Sequence, residues 1–352
     1  MTGEALAGAL DRLPKVELHC HIEGTMRPST VLDLAHANGV ALPTEDLDEL
    51  YRYSSLDEFL SVFWLVQSCL QNRGDWVRLA HESVVDAAAH GRVYAETFFT
   101  PARHLAAGAA LGDIVAGLDE GIAAAEAETG TRCMLVADID RAYGPDAGRE
   151  LVDGVIELQR RRAPGADRIV GIGMDSTELG VDPRSFEPAY RAARAAGLRV
   201  TAHQGEDTGP DAIAACVDVL GAERIDHGLS IMGDDMLVER FAGEGIPLTV
   251  CPTSNIVIAN RVATLAEHPF RSMREAGLLA TLNTDDPALT DLDLGREYAA
   301  VADAYHWAFD EMVAVSHDGV DATWLDDDGK RSLHVKIDAS AAELRAELSG
   351  TG

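Results

Sequence analysis

Lysine is almost missing from this sequence. Three of its 352 residues are lysine, Lys15, Lys330 and Lys336, and 29 basic residues face 59 acidic ones, giving a formal net charge of −30. Polynucleotide binding relies on clustered Lys and Arg that displace the counterions of phosphate, so nucleic acid is excluded as a partner. Long apolar runs are absent too: none approaches the roughly 18 residues that a membrane span requires. The opening stretch MTGEALAGALDRLPK has no basic region followed by an apolar one, so no secretory leader is read and cytoplasmic residence is expected. Cysteine is sparse, with Cys20, Cys69, Cys133, Cys216 and Cys251 scattered and no C-x-x-C pair. That argues against a disulfide framework and against a thiolate zinc site, leaving buried, reduced thiols.

What the chain does have is a rhythm. Short apolar runs alternate with Ala-rich helical periodicity, the pattern of a parallel sheet with crossover helices. Eight runs are present: VELHCHI (16–22), VYAETFFT (93–100), RCMLVADI (132–139), IVGIGMDS (169–176), RVTAHQG (199–205), RIDHGLS (224–230), PLTVCPTSN (247–255) and LATLNTDD (279–286). Eight successive βα units predict one domain over residues 1–352, an α/β fold of the (β/α)8 TIM-barrel type. About 70 residues separate the first two runs, and the helical patterns RPSTVLDLAHANG, SLDEFLSVFWLVQSCL and DWVRLAHESVVDAAAHG fill the gap. They predict a helical insertion beside the barrel mouth. After Asp286, LGREYAAVADAYHWAFDEMVAVSHDGV predicts extra C-terminal helices and DDDGK an exposed turn.

A barrel of this type carries its chemistry at the C-terminal ends of its strands. The polar residues at or near the run ends are His19, His21, Glu96, Asp175, Glu178, His203, Glu206, His227, Asn255, Asp285 and Asp286. In a strand, residues i and i+2 share a face, so His19 and His21 present their imidazoles together. With His203 and Asp285 they form an N3O set suited to zinc with a water as a further ligand, and a bound divalent ion brings the pKa of water down toward about 7. Glu206, three residues past His203, is placed to protonate an atom that gains charge, or else caps the following helix. His227 holds the attacking water by a hydrogen bond, or is a core histidine. Asp286 contacts the substrate, or is an N-cap ahead of Pro287. The histidines at 36, 81, 90, 268, 306, 317 and 334 fall in helical or loop contexts and are read as structural or surface residues.

The ordered motifs LPKVELHCHIEG, YAETFFTPARH, GMDSTELG, TAHQGED, ERIDHG, LTVCPTSN and LNTDDPAL, spread over residues 12–290, resemble the adenosine deaminase family of the amidohydrolase superfamily. The resemblance implies one zinc ion held by His19, His21, His203 and Asp285, with Glu206 protonating N1 of a purine, His227 orienting the attacking water and Asp286 contacting N7. The two-metal relatives of such barrels bridge their ions with a modified lysine on strand four; no barrel strand end here has a lysine, so a single-metal site is expected. The implied reaction is hydrolytic deamination of a 6-aminopurine, with a small-molecule purine as partner. The preferred substrate is adenosine, with 2'-deoxyadenosine, giving inosine and ammonia in purine salvage. The alternatives are adenine, giving hypoxanthine, a modified nucleoside such as 6-aminodeoxyfutalosine, and a silent purine-binding barrel. Glu23 stands where nucleoside-specific members have Asp, and FFTPARH and MDSTELG also resemble the adenine-specific subgroup, so Glu23, Asp175 and Glu178 are expected to touch the substrate. Oligomeric state is not written in the sequence.

Overall fold

The computed structural model describes residues 3–53, 56–259 and 261–350. Eight strands form one parallel sheet in sequence order: β1 Lys15–Glu17, β2 Arg92–Phe99, β3 Arg132–Asp140, β4 Ile169–Asp175, β5 Arg199–Gln204, β6 Arg224–His227, β7 Leu248–Val250 and β8 Ala280–Leu282. The sheet curls until its edges meet just beyond β8 and β1. There the amide of Asp285 donates to the His19 carbonyl (3.1 Å) and the amide of His21 to the Asp285 carbonyl (2.8 Å). The predicted (β/α)8 barrel is the observed fold, and its seam runs through three of the residues singled out as metal ligands. Among the described residues, no helix is long and apolar enough to cross a membrane.

Several runs read as continuous strands are shorter. In PLTVCPTSN the strand stops at Val250 and Pro252–Val257 forms a helix with Pro252 in its first turn. Proline has no N–H to give to a sheet ladder but fits the first turn of a helix. The Glu297 carboxylate accepts from the Thr253 amide at 3.0 Å and fixes that helix start. The run after Asp326 is not an exposed turn but the start of a helix over Asp327–Gly350: the Asp326 carboxylate accepts from the Gly329 amide (2.8 Å), an N-terminal cap. The insertion contains helices Pro28–Asn38, Leu47–Leu50, Leu56–Ser68 and Arg73–Ala89; Ser55, where the second helical pattern begins, lies outside the described residues. Helix Leu56–Ser68 packs against the turn at Glu23–Thr25, and the hydroxyls of Tyr51 and Tyr53 donate to the carbonyls of Met26 (2.6 Å) and Leu289 (2.9 Å). The insertion therefore lies over the mouth. All five cysteines are buried and free.

Lys15 closes the N-terminal end. It is buried and its ammonium donates to the carbonyls of Leu10 (2.6 Å), Asp11 (3.0 Å) and Leu13 (2.8 Å), capping helix Gly3–Arg12. Burial lowers its pKa to about 7. Glu96, counted above among the polar residues at the run ends, belongs to the barrel's interior framework. Its carboxylate pairs with Arg224 (2.8 Å) and accepts from the Trp324 amide (2.8 Å), while the Arg224 guanidinium lies 4.0 Å from the Trp324 ring centroid. Both charges are wholly buried. Removing one partner strands the other charge, so Glu96→Ala is expected to destabilise the protein by roughly 3–5 kcal/mol; denaturant unfolding showing less than about 1 kcal/mol would refute that role.

Candidate active site

Strand register sets the site. His203 lies beside Asp226 on the neighbouring strand, and Asp226 beside Thr249 on the next. Asp226 Oδ2 is 3.5 Å from His203 Nδ1, and the carboxylate accepts from the hydroxyls of Thr201 and Thr249 at 2.7 Å each. Asp138 Oδ2 stands 3.8 Å from His21 Nδ1, and its place depends on Gly173, where an added Cβ would come within 1.9 Å of Asp138 Oδ1. The third ring, His19, puts Nδ1 3.0 Å from the Thr249 carbonyl; as that contact needs an N–H donor, we assign the proton to Nδ1 and leave Nε2 free.

The backing groups turn three Nε2 atoms toward one point. His21 and His203 Nε2 are 3.1 Å apart, and Asp285 Oδ1 is 3.3 Å from His19 Nε2 and 3.4 Å from His21 Nε2. Four donors at bond lengths of about 2.0–2.1 Å around a tetrahedral zinc are separated by about 3.3 Å. The donor set fits that ion. Burial lowers the pKa of His21 to about 4 and that of His203 well below its ordinary value, so both rings stay neutral. His19 is held up: burial opposes its charge most, but Asp285, Asp226 and the Thr249 carbonyl together outweigh it. A second grouping, His19, His227, Cys251 and Asp285, is as compact but suits a metal less well. Burial first, then Asp285, raises the Cys251 thiol and opposes the thiolate a metal needs, and His227 Nδ1 is taken by Asn255 (3.1 Å).

Around these donors lie the remaining residues. Glu206 caps no helix: its Oε1 accepts from Asn255 Nδ2 at 2.5 Å, and burial, followed by the charges of Asp285 and Glu178, raises its pKa to about 8. Since Asn255 donates to Nδ1 of His227, the ring carries its proton on Nε2; burial lowers this pKa to about 3. His227 and Asp285 both take positive φ, 65° and 67°, an uncommon conformation for side-chain-bearing residues that concentrates at functional sites. Asp286 caps no helix either. It presses against Gly24, where a Cβ would lie 1.8 Å from its Oδ1, and that oxygen has no partner. Glu23 accepts from the Thr100 amide (2.9 Å) while its Oε2 is unpartnered. Asp175 accepts from the Thr100 hydroxyl (2.6 Å) and leaves Oδ1 free. Burial raises the pKa of Glu23 to about 7, and raises Asp286 through burial and then Asp285.

Glu178 departs from expectation. Both of its oxygens are bound to the loop after β5, accepting from the amides of Gly205, Glu206 and Thr208, so they face protein rather than substrate. Sequence reasoning passed over Asp138, Asp226, Ser254, Thr249 and His268. Ser254 donates to Asp285 Oδ2 (2.5 Å) and His268 Nε2 approaches Asn255 Oδ1 (3.2 Å). The ERIDHG motif held a signal for Asp226 in the residue directly before His227; His268 had none.

The Adenosine deaminase family model matches residues 14–340. The chain belongs to this family. Among adenosine deaminase family relatives, the adenine deaminase of Streptomyces coelicolor is 39% identical over 323 residues, covering 91% of this chain and 93% of its own. The crystal structure of the Arthrobacter aurescens adenine deaminase superposes with a TM-score of 0.87 at 34% identity, covering 93% of this chain and 98% of that one. An amidohydrolase from Burkholderia ambifaria, solved with bound Zn, gives 0.89 at 32% identity, with coverages of 98% and 96%. The chain is thus an aminohydrolase of the adenosine/adenine deaminase type, acting on a purine C–N amidine bond. Asp226→Asn is expected to weaken divalent-metal retention by about 10–100-fold, measured by chelator competition; unchanged retention would show that the carboxylate behind His203 plays no part.

Proposed function

We propose that this enzyme converts adenine to hypoxanthine and ammonia, holding one zinc ion between His19, His21, His203 and Asp285. The observation that carries the choice of a free base is the unpartnered oxygen of the fully buried Glu23, joined by a free oxygen of Asp175, which shares Thr100 with it. Buried acceptors with no donor are costly, and a base whose ring N–H is free, not substituted by a sugar, supplies one. The names of the relatives favour the same substrate, so adenosine, preferred from the sequence, gives way to the alternative given beside it.

The ion, when bound, activates water for attack and stabilises the charge that develops. The chain's own groups do the rest. Glu206, held protonated near neutral pH, lies within reach of Asn255 and donates its proton to N1 as C6 is attacked. His227, neutral with Nε2–H pointing inward, fixes the direction of the incoming water. Asp286, whose carboxyl is pushed up by burial and then by Asp285, turns to N7 as a donor. Arg141, buried at the same end, donates to the carbonyls of Asp175 (2.8 Å), Met174 (3.2 Å) and His203 and to Gln204 Oε1 (3.1 Å). Its charge is thus engaged by the scaffold, and the acidic cluster facing the substrate disfavours a phosphorylated one.

Ammonia release from adenine, adenosine and 2'-deoxyadenosine tests the substrate. Adenine is expected to exceed adenosine in kcat/KM by roughly 100-fold or more, because a site built around a ligand N–H rejects analogues that lack it; equal or faster turnover of adenosine overturns the reading. Glu206→Gln is expected to lose about 10²–10⁴-fold in kcat with the fold retained. A carboxyl with pKa raised to about 8 is protonated below that pH and ionised above it, so kcat/KM should fall as pH rises through about 8; a profile flat to pH 10 would contradict Glu206 as the acid.

A further inference from the structure

We propose that Glu178 is a positioning residue that sets the acid Glu206 by gripping the backbone of the turn that carries it. Glu178 follows β4 and is 3% exposed. Its Oε1 accepts from the Glu206 amide at 2.9 Å. Its Oε2 accepts from the amides of Gly205 and Thr208 at 3.0 Å each, from Gln204 Nε2 at 2.9 Å and from the Thr208 hydroxyl. A carboxylate has about four lone-pair sites, and here five donors from residues 204–208 converge on it. Four of them reach Oε2 and one reaches Oε1, so the carboxylate is turned into the loop rather than toward a substrate.

The turn needs such a clasp. Gly205 has a φ of 87°, and a Cβ there would lie 2.4 Å from Ile213 Cδ1, so the chain bends sharply immediately before Glu206. The amides of Gly205, Glu206 and Thr208 point into the bend, and charge-assisted bonds to one carboxylate satisfy them together. The Glu206 side chain is then fixed at both ends. Glu178 holds its backbone, and Asn255, itself in contact with His268 and His227, holds its carboxyl. Across the same loop Asp207 pairs with Arg261. A general acid must sit within hydrogen-bond reach of its target, and a displacement of about 1 Å can cost on the order of 100-fold in rate. In Glu178→Gln the amide NH2 would face donors, so the turn would reorganise while the ligand histidines, just after β1 and on β5, keep their own backing.

This inference rests on Glu206 being the acid, and a double-mutant cycle on the zinc-loaded enzyme separates the two claims. Glu178→Gln is expected to lower kcat about 10–100-fold with KM changed less than about 3-fold and zinc content unchanged. In the Glu206→Gln background the same change is expected to cost less than about 2-fold, because residues acting as one unit are not additive. If Glu178→Gln leaves kcat intact, or costs the same in both backgrounds, the proposal is overturned; full activity of Glu206→Gln alone would overturn the assignment of the acid instead. Should Glu178→Gln fail to fold, Thr208→Val removes one donor to the carboxylate. Its expected loss of several-fold in kcat should vanish beside Glu206→Gln, and an unchanged kcat in the single variant would overturn the clasp.

Discussion

Two backbone hydrogen bonds carry the architecture of this enzyme: those that join Asp285 to His19 and His21 where the eighth strand meets the first. They close the barrel, and they place three of the four candidate metal donors within 3.4 Å of a neighbouring donor. The left-handed backbone of Asp285, φ 67°, is the local cost of turning its carboxylate inward from that seam. The opposite end of the barrel is held by different means, the buried Glu96–Arg224 pair under Trp324 and the Lys15 ammonium under the first helix. The rare lysine of this chain supports the frame and takes no part in the site.

The second constraint is a surplus of buried carboxylates. Asp138 and Asp226 stand behind two of the histidines, Glu178 holds a turn, and Glu23, Asp175 and Asp286 keep oxygens without partners. Each group is tolerable in a low-dielectric interior only if paired, protonated or met by a ligand. Glu178 and Asp226 are satisfied by amide and hydroxyl donors of the scaffold, Asp138 stands behind His21, and the free oxygens of Glu23, Asp175 and Asp286 wait for a substrate N–H or a proton.

The barrel, its eight strands and the histidine and aspartate positions at its mouth were legible because period-two apolar runs and strand-end polar residues are local signals. The helix at Pro252–Val257 was less visible, since PTSN follows an apolar strand without a break; only Pro252 marks the change. Its consequence is large, because that helix brings Ser254 to Asp285 and Asn255 to Glu206. The true partners of Glu178 and of Glu96 were not legible at all. They lie 28 and 128 residues away in sequence, and a carboxylate that grips a turn reads in one dimension like one that grips a ligand.

The central claim is that three imidazoles and one carboxylate at the barrel seam hold a single zinc ion. X-ray absorption at the zinc edge on the purified protein, combined with metal analysis, tests it most directly. One zinc per chain with a shell of nitrogen and oxygen at about 2.0–2.1 Å is the predicted result. A sulfur scatterer at about 2.3 Å, which would place Cys251 in the shell, or two ions per chain, would contradict it.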